Sequence, residues 1–157
     1  MRNLDELNMN EGGRPVNRPS PSSSTIAEFE RYSGLGLPRA YLELLRHANG
    51  GHPELDSIEP QNAPGASRWS VNRFFYLNDD KRGSESLWVA LEAWRPILGA
   101  GALPIANDGG GNLFFIDTTS KNGAVKVCVH DDNFAIRELA SSFEEFIDQL
   151  SIDPDFI

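Results

Sequence analysis

The sequence predicts an α+β domain in which an antiparallel sheet of about four to six strands is covered by about four helices. Three observations predict this fold class. Two segments with helical periodicity come first, three short apolar runs separated by turn residues follow later, and a capped apolar helix closes the chain. Because short connections favour antiparallel neighbours, we expect the three apolar runs to form a meander.

The first 24 residues have the composition of a flexible tail. Gly, Pro, Ser and Asn dominate, and the segment holds too little apolar surface to offset the entropy lost on ordering. The predicted single domain therefore covers residues 25–157. Its first helix is expected to begin at Thr25, because Thr25 and Glu28 have the spacing of a capping box. The buried face of this helix is expected to hold Ile26, Phe29 and Tyr32.

The segment LPRAYLELLRHANGG is the clearest helix in the sequence. Pro38 suits a first helical turn. Apolar residues recur at helical spacing behind it, at Tyr41, Leu44, Leu45 and Ala48. Asn49, Gly50 and Gly51 are expected to end the helix as a structural turn, because glycine adopts the left-handed backbone conformation without a Cβ penalty.

Weaker patterns follow in residues 52–82 and just beyond them. LDSIE and VNRFFYLN indicate short strands, the second being rich in β-forming residues. ESLWVALEAWRPIL predicts a third helix with Leu87, Leu91 and Trp94 on one stripe. Pro96 and the glycines at positions 99 and 101 are expected to end it.

The runs LPIA, NLFFID and AVKVCVH predict three successive strands. Gly109, Gly110 and Gly111 join the first two as a structural turn that Asn107 and Asp108 cap, and these glycines are expected to provide positive φ or close backbone approach. Asn122-Gly123 favours a hairpin before the third run. A second capping box, Ser142 with Glu145, opens the last helix. Its apolar face is Phe143, Phe146, Ile147 and Leu150.

Charge and composition limit the classes of partner. The net charge is −9, while the first 24 residues are neutral overall. An acidic domain repels phosphates, so direct nucleic-acid binding is not expected, whereas the same field attracts a basic protein. No run reaches the roughly 20 apolar residues of a membrane helix, and no secretory h-region is visible. The single cysteine, Cys128, cannot form an internal disulfide and is expected to be a small buried side chain, so we expect a cytoplasmic protein.

The glycine loop IANDGGGNLFFID lacks the pattern of a phosphate-binding loop, because a strand follows it instead of a lysine and a helix. A metal site is a weaker alternative. Its carboxylates and histidine would converge only if their strands were neighbours, and neither EF-hand nor zinc spacing is present. The candidate metal ligands in this alternative are Asp108, Asp117, His130, Asp131 and Asp132. No nucleophile elbow is present, so no cofactor, metal ligand or catalytic residue is predicted, and the protein is not expected to be an enzyme.

Five segments occur in a recognisable order: LPRAYLELLRHANGG, WRPIL, LPIANDGGGNLFFID, VCVHDD and IRELASSFEEFIDQL. Together they resemble the SUKH superfamily, which includes the yeast Smi/Knr cell-wall-assembly regulators and many bacterial immunity proteins. The resemblance implies a SUKH-like fold and a non-enzymatic binding domain. For the immunity members it also implies a cognate polymorphic toxin, often a nuclease with a basic surface. Residues 52–82 and the proline-rich tail lie outside the pattern.

The resemblance and the acidic charge together predict a bacterial immunity protein that binds and neutralises a cognate protein toxin. Aromatic and acidic side chains are expected to make the contacts, because aromatic residues dominate interface hot spots and carboxylates attract a basic partner. These residues are Trp69, Asp79, Asp80, Glu85, Trp88, Asp108, Asp131 and Asp132. A regulatory protein-binding scaffold of the Smi/Knr type is the alternative, and a small metal-dependent enzyme is less favoured.

Overall fold

A five-stranded antiparallel sheet forms the centre of the fold in the computed structural model, which describes residues 1–10, 18–60 and 67–156. Within these residues the helices are α1 (Ser23–Ser33), α2 (Arg39–His47), α3 (Leu87–Leu98) and α4 (Phe143–Gln149). The strands are β1 (Ser57–Ile58), β2 (Trp69–Ser70), β3 (Arg73–Phe74), β4 (Ala102–Asn107), β5 (Leu113–Asp117), β6 (Ala124–Val129) and β7 (Ala135–Ala140). The large sheet has the order β3-β4-β5-β6-β7, and β1 pairs with β2 in a separate small sheet. The predicted α+β class and antiparallel meander are confirmed.

The last strand of the sheet, β7, was not predicted from the sequence. It lies at one edge of the sheet, and Ile136, Arg137 and Glu138 are exposed there. Such a segment lacks the continuous apolar run that marked the three strands before it, because its buried residues are confined to Leu139 and Ala140. An edge strand needs burial on fewer sides than a central one, so its pattern is harder to recognise.

One side of the sheet packs against α4. Side chains alternate along β5, and the Phe114 ring lies 6.2 Å from that of Phe146 on α4. Phe143 continues this packing to Tyr41 of α2, with ring centroids 5.6 Å apart. The Ser142 hydroxyl caps α4 by accepting from the Glu145 amide at 3.1 Å, as predicted. The Glu145 carboxylate, however, accepts from the amide of Ser141, one residue earlier than a capping box requires.

Helix α1 begins one turn earlier than the capping box at Thr25 predicted. Ser22 is the N-cap, and its hydroxyl accepts from the Thr25 amide at 3.1 Å. Thr25 itself is buried, and its hydroxyl donates to Asp79 at 2.6 Å. Ile26 and Phe29 are buried as expected, whereas Tyr32 is 54% exposed and lies outside the core.

The turn after α2 is stabilised by Asn49 and requires glycine at position 50. Asn49 is buried, and its side chain exchanges two hydrogen bonds of 2.8 Å with the backbone of Leu77. Gly50 has φ of 86°, and a Cβ atom there would lie 2.8 Å from the Cβ of Tyr76. Both the left-handed backbone and the close approach therefore require glycine at this position.

Helix α3 continues through Pro96 to Leu98 and is capped at Gly99, so the prediction that Pro96 helps to end it is wrong. Proline removes one amide donor from the helix. Here it stands in the last turn, and the Gly99 amide still bonds to the Arg95 carbonyl at 2.9 Å. Leu87 and Leu91 are buried as expected, but Trp94 is only partly buried.

Residues 1–10 pack on the domain, in contrast to the flexible tail predicted for residues 1–24. Leu4–Leu7 form a 3-10 helix, and Leu7 is fully buried. The Arg2 guanidinium donates to the carbonyls of Asp148 and Leu150 at 2.7 and 3.0 Å. Composition does not reveal these contacts, because they combine one buried leucine with hydrogen bonds to residues distant in sequence. The rest of the predicted tail includes residues 11–17, which lie outside the described residues.

Candidate partner-binding surface

Helix α3 is apolar on two sides. Leu87, Trp88, Ala90 and Leu91 face the interior. Val89, Ala93 and Ile97 follow each other at intervals of four residues and share a second face, where Ala93 is exposed and Ile97 is 44% exposed. A surface helix ordinarily carries polar residues on its outer face. The outer face of α3 therefore has the character of a contact surface.

A pocket of about 520 Å³ lies on one flank of this face, lined by Tyr32, Lys81, Trp88, Val89, Glu92 and Ala93. We call it the Trp88 pocket. The indole packs edge-on against Phe29 at 5.1 Å, and its N–H donates to the carbonyl of Asn78 at 2.9 Å. Trp88 is only 4% exposed, so it forms a wall of the pocket. The sequence predicted it as a contact residue, but its ring does not project from the surface.

Lys81 and Glu92 are charged residues that line the Trp88 pocket. The Lys81 ammonium lies 4.6 Å from the Trp88 ring centroid and pairs with Glu28 at 2.6 Å. Glu92 is exposed and accepts a hydrogen bond from the Tyr32 hydroxyl. In the part of the chain that the structure describes, no basic side chain forms an ion pair with Glu92. The pocket therefore combines aromatic walls with an excess of negative charge.

On the other flank, Phe134 stands at the tip of the β6–β7 connection and is 43% exposed. Its ring lies edge-on to Trp94 of α3, with centroids 6.4 Å apart. Asn133 and Phe134 have φ of 52° and 57°, and the Ala135 amide bonds to the Asp132 carbonyl at 3.0 Å. This is the pattern of a type I′ turn, which strongly favours glycine at the position that Phe134 occupies.

The two flanks are joined across α3. Val89 and Ala93 line the Trp88 pocket and also a groove of about 230 Å³ that reaches Trp94 and the glycine loop. Beyond Trp94, Ile136 is 52% exposed and faces Leu98 across a smaller cavity. We call the whole area the α3 surface; it comprises Tyr32, Val89, Ala93, Trp94, Ile97, Phe134 and Ile136.

The glycine loop beside the α3 surface is a turn stabilised by Asp108. Its carboxylate accepts from the amides of Gly110 and Asn112 at 2.9 and 2.8 Å and from the Asn112 side chain at 2.7 Å. Gly111 has φ of 92°, and a Cβ there would lie 3.0 Å from Nε2 of His130. Of the three glycines only Gly111 has positive φ, and nothing lies within 4 Å of a Cβ built on Gly109. The loop is therefore a turn in which Gly111 is the position that requires glycine.

The predicted contact residues other than Trp88 fall into four places. Asp79 and Asp80 lie in the segment before Lys81; Asp79 accepts from Thr25, and Asp80 accepts from the Arg82 amide at 3.0 Å. Asp108, Asp131 and Asp132 lie at the turns near Phe134, where Asp132 pairs with Arg137 at 3.2 Å. Glu85 pairs with Arg73 at 3.3 Å. Trp69 belongs to the small β1–β2 sheet and packs partly buried against the core.

Several residues of the α3 surface were not predicted from the sequence. Tyr32 was assigned to the core because its spacing matches Ile26 and Phe29. Phe134 had no visible pattern, because its exposure depends on the turn that holds it. Ile97 could have been found, since Val89, Ala93 and Ile97 form a second stripe beside the buried one.

The residues considered as a metal site do not converge on one point. Asp117 lies at the end of β5 opposite to the glycine loop, where it pairs with Lys126 at 2.7 Å. The Lys126 hydrogen bond, with help from Thr119, lowers the pKa of Asp117. Among residues 1–10, 18–60 and 67–156, no group of three or more His, Cys, Asp or Glu side chains is placed to hold a metal ion.

Cys128 is fully buried in β6, and burial raises the pKa of its thiol, which disfavours the reactive thiolate. Across the described segments, no helix has the length and hydropathy of a membrane-spanning segment.

The sequence matches the model of a known protein family. The model of the SMI1 / KNR4 family (SUKH-1) matches residues 20–149, which is most of the chain. A search of curated proteins finds no match. The family match confirms the resemblance that the sequence motifs indicated, and its range covers the α3 surface.

Proposed function

This chain belongs to the SMI1/KNR4 family (SUKH-1), and we propose that it acts there as a cytoplasmic immunity protein that binds and neutralises a cognate toxin. Its action is stoichiometric binding: the protein occupies a surface that the toxin needs and performs no chemistry of its own. The observation that carries the proposal is the α3 surface, an exposed apolar and aromatic area.

The composition of the α3 surface is that of an interface. Exposed apolar patches on soluble proteins mark sites of interaction, and aromatic residues are enriched at the energetic centre of such sites. Tyr32, Trp94 and Phe134 provide the aromatic component, and Val89, Ala93 and Ile97 provide a flat aliphatic strip. A partner with a complementary apolar centre would cover this strip.

Charge around the α3 surface specifies the kind of partner. Lys81 and Arg137 are each neutralised by a neighbouring carboxylate, Glu28 and Asp132. Glu92, Asp108 and Asp131 add negative charge to the rim, in keeping with the net charge of −9. Complementary charge increases the association rate and rejects wrong partners. A toxin with a basic surface, such as a nuclease, fits this rim.

A regulatory scaffold of the Smi/Knr type could use the same surface for a host protein, so the experiment must separate the two functions. The chain is co-expressed with the toxin encoded by the adjacent gene, and growth is scored together with complex formation. We expect growth to be rescued and the two proteins to co-purify. Absence of both would reject the immunity function.

A pair of matched variants localises the interface. Ala93→Arg places a bulky cation in the middle of the α3 surface, and it should abolish rescue because it combines a steric clash with charge repulsion. Ala27→Arg introduces the same side chain at an exposed position of α1 outside the two cavities. This control should rescue growth as the wild type does. Equal rescue by both variants would place the interface elsewhere.

A further inference from the structure

The Trp88 pocket carries one more negative charge than its own cation neutralises. Glu92 and Lys81 both line it, and the positive charge of Lys81 is already paired with Glu28 at 2.6 Å. Glu92 is left with the Tyr32 hydroxyl, a neutral donor that orients the carboxylate without removing its charge. A second cation entering the pocket would therefore make the set of charges neutral.

The walls of the pocket are already suited to a cation. The Lys81 ammonium lies over the Trp88 ring at 4.6 Å, which is within the range of a cation–π interaction. The Tyr32 ring lies 5.6 Å from the Trp88 ring at an interplanar angle of 55°, so a second aromatic face borders the same space. The position of Lys81 therefore shows that the pocket favours a cation beside its aromatic walls.

The open space next to Glu92 has room for a whole side chain. The pocket measures about 520 Å³ with Lys81 in place, and its floor is formed by the aliphatic groups of Val89 and Ala93. Ligand sites of this size combine mostly apolar walls with a few fixed polar groups. Such a space accepts a long side chain with an apolar stem and a charged planar end.

We propose that the Trp88 pocket receives an arginine side chain of the protein partner. The guanidinium pairs with the Glu92 carboxylate and lies against the Tyr32 ring, while the Lys81–Glu28 pair remains as the opposite wall. Arginine fits better than lysine because its planar guanidinium stacks on aromatic rings and bonds a carboxylate through two parallel N–H groups. This proposal rests on the proposed function, since it names the group by which the toxin is anchored.

The test uses a blocked arginine, N-acetyl-arginine amide, and does not require the toxin. The probe is titrated into the full chain, and the indole N–H signal of Trp88 is followed by ¹H–¹⁵N NMR. We expect a saturable shift with millimolar affinity, and at least a tenfold loss when arginine is replaced by citrulline, its neutral isostere. Citrulline binding as well as arginine would overturn the proposal, because the charge would then play no part.

Variants identify the carboxylate. Glu92→Gln should weaken arginine binding at least tenfold, whereas Glu144→Gln, which removes an exposed carboxylate on α4, should leave it unchanged. Lys81→Ala should tighten binding, because it frees Glu28 for the guanidinium. Unchanged binding in Glu92→Gln would contradict the assignment.

Failure of this proposal is separable from failure of the proposed function. Growth rescue without arginine binding would reject the arginine site and retain the immunity function. Arginine binding without rescue or complex formation would reject the immunity function and retain the pocket.

Discussion

The ring of Phe134 lies edge-on to that of Trp94, with centroids 6.4 Å apart and an interplanar angle of 81°. This contact links the tip of the β6–β7 turn to α3 although the Phe134 backbone is in the left-handed region, with φ of 57°. A bulky side chain there costs about 1–2 kcal/mol relative to glycine. Strained residues of this kind concentrate at functional sites, which suits an exposed aromatic on a binding surface.

Phe134→Gly should therefore separate stability from binding. Relief of the left-handed strain offsets the loss of an aromatic pair worth roughly 0.5–1.5 kcal/mol, so the free energy of unfolding should change by less than about 1 kcal/mol. Affinity for the toxin should fall by about 2 kcal/mol or more, as for an interface hot spot. Urea unfolding and calorimetric titration measure the two quantities. A variant that unfolds easily but binds normally would show that Phe134 serves the fold.

Gly111→Ala should destabilise the glycine loop, and Gly109→Ala should not. Gly111 has φ of 92°, and its added Cβ would press on the His130 ring at 3.0 Å. The expected loss is about 1–2 kcal/mol in the free energy of unfolding. Gly109 has open space at the Cβ position, so its variant should stay within roughly 0.5 kcal/mol of the wild type. Equal losses in urea unfolding would mean that the loop needs glycine for another reason.

Leu7→Ala should cost about 2–5 kcal/mol in the free energy of unfolding, because it removes a fully buried side chain from the core. Glu6→Ala is the matched control in the same 3-10 helix, where the exposed Glu6 carboxylate pairs with Arg2 at 3.6 Å. That control should change stability by less than about 0.5 kcal/mol. Identical urea midpoints for the two variants would support the flexible tail that composition predicted.

Asp117 should make the stability of the protein depend on acid pH. Its pKa is lowered from 3.8 by the hydrogen bond from Lys126 and then by that from Thr119. A carboxyl group with a lowered folded-state pKa contributes stability above 3.8, and this contribution is lost as the pH falls through the lowered pKa. Asp117→Asn should therefore lower the free energy of unfolding at neutral pH. It should also reduce the loss of stability that the wild type shows below about pH 4.

Urea unfolding of the wild type and Asp117→Asn at several pH values checks this expectation. Asp155→Asn is the charge-matched control, since it removes an exposed carboxylate near the C-terminus. If both variants followed the same pH profile, the Lys126 pair would contribute no measurable stability.

Much of the fold follows from local patterns in the sequence. The helix from Arg39 to His47 and its Asn-Gly-Gly end were predicted because helical spacing and left-handed glycine are properties of adjacent residues. The meander of β4, β5 and β6 followed from short connections between apolar runs, and the order of the motifs identified the family. The net charge of −9, which follows from counting charged residues, indicated a basic partner.

Tertiary structure alone decided which of these residues lie exposed on the proposed binding surface. Trp88 became a wall because α1 and Lys81 cover it, and Tyr32 became exposed although its spacing suited the core. Leu7 lies in the core although the segment around it is polar, and the conformation of the β6–β7 turn keeps Phe134 exposed. Exposure depends on which distant segments pack against a residue, and that information is not contained in the neighbouring sequence. The proposed binding surface is therefore visible only in the folded structure, where α1, α3 and the β6–β7 turn lie side by side.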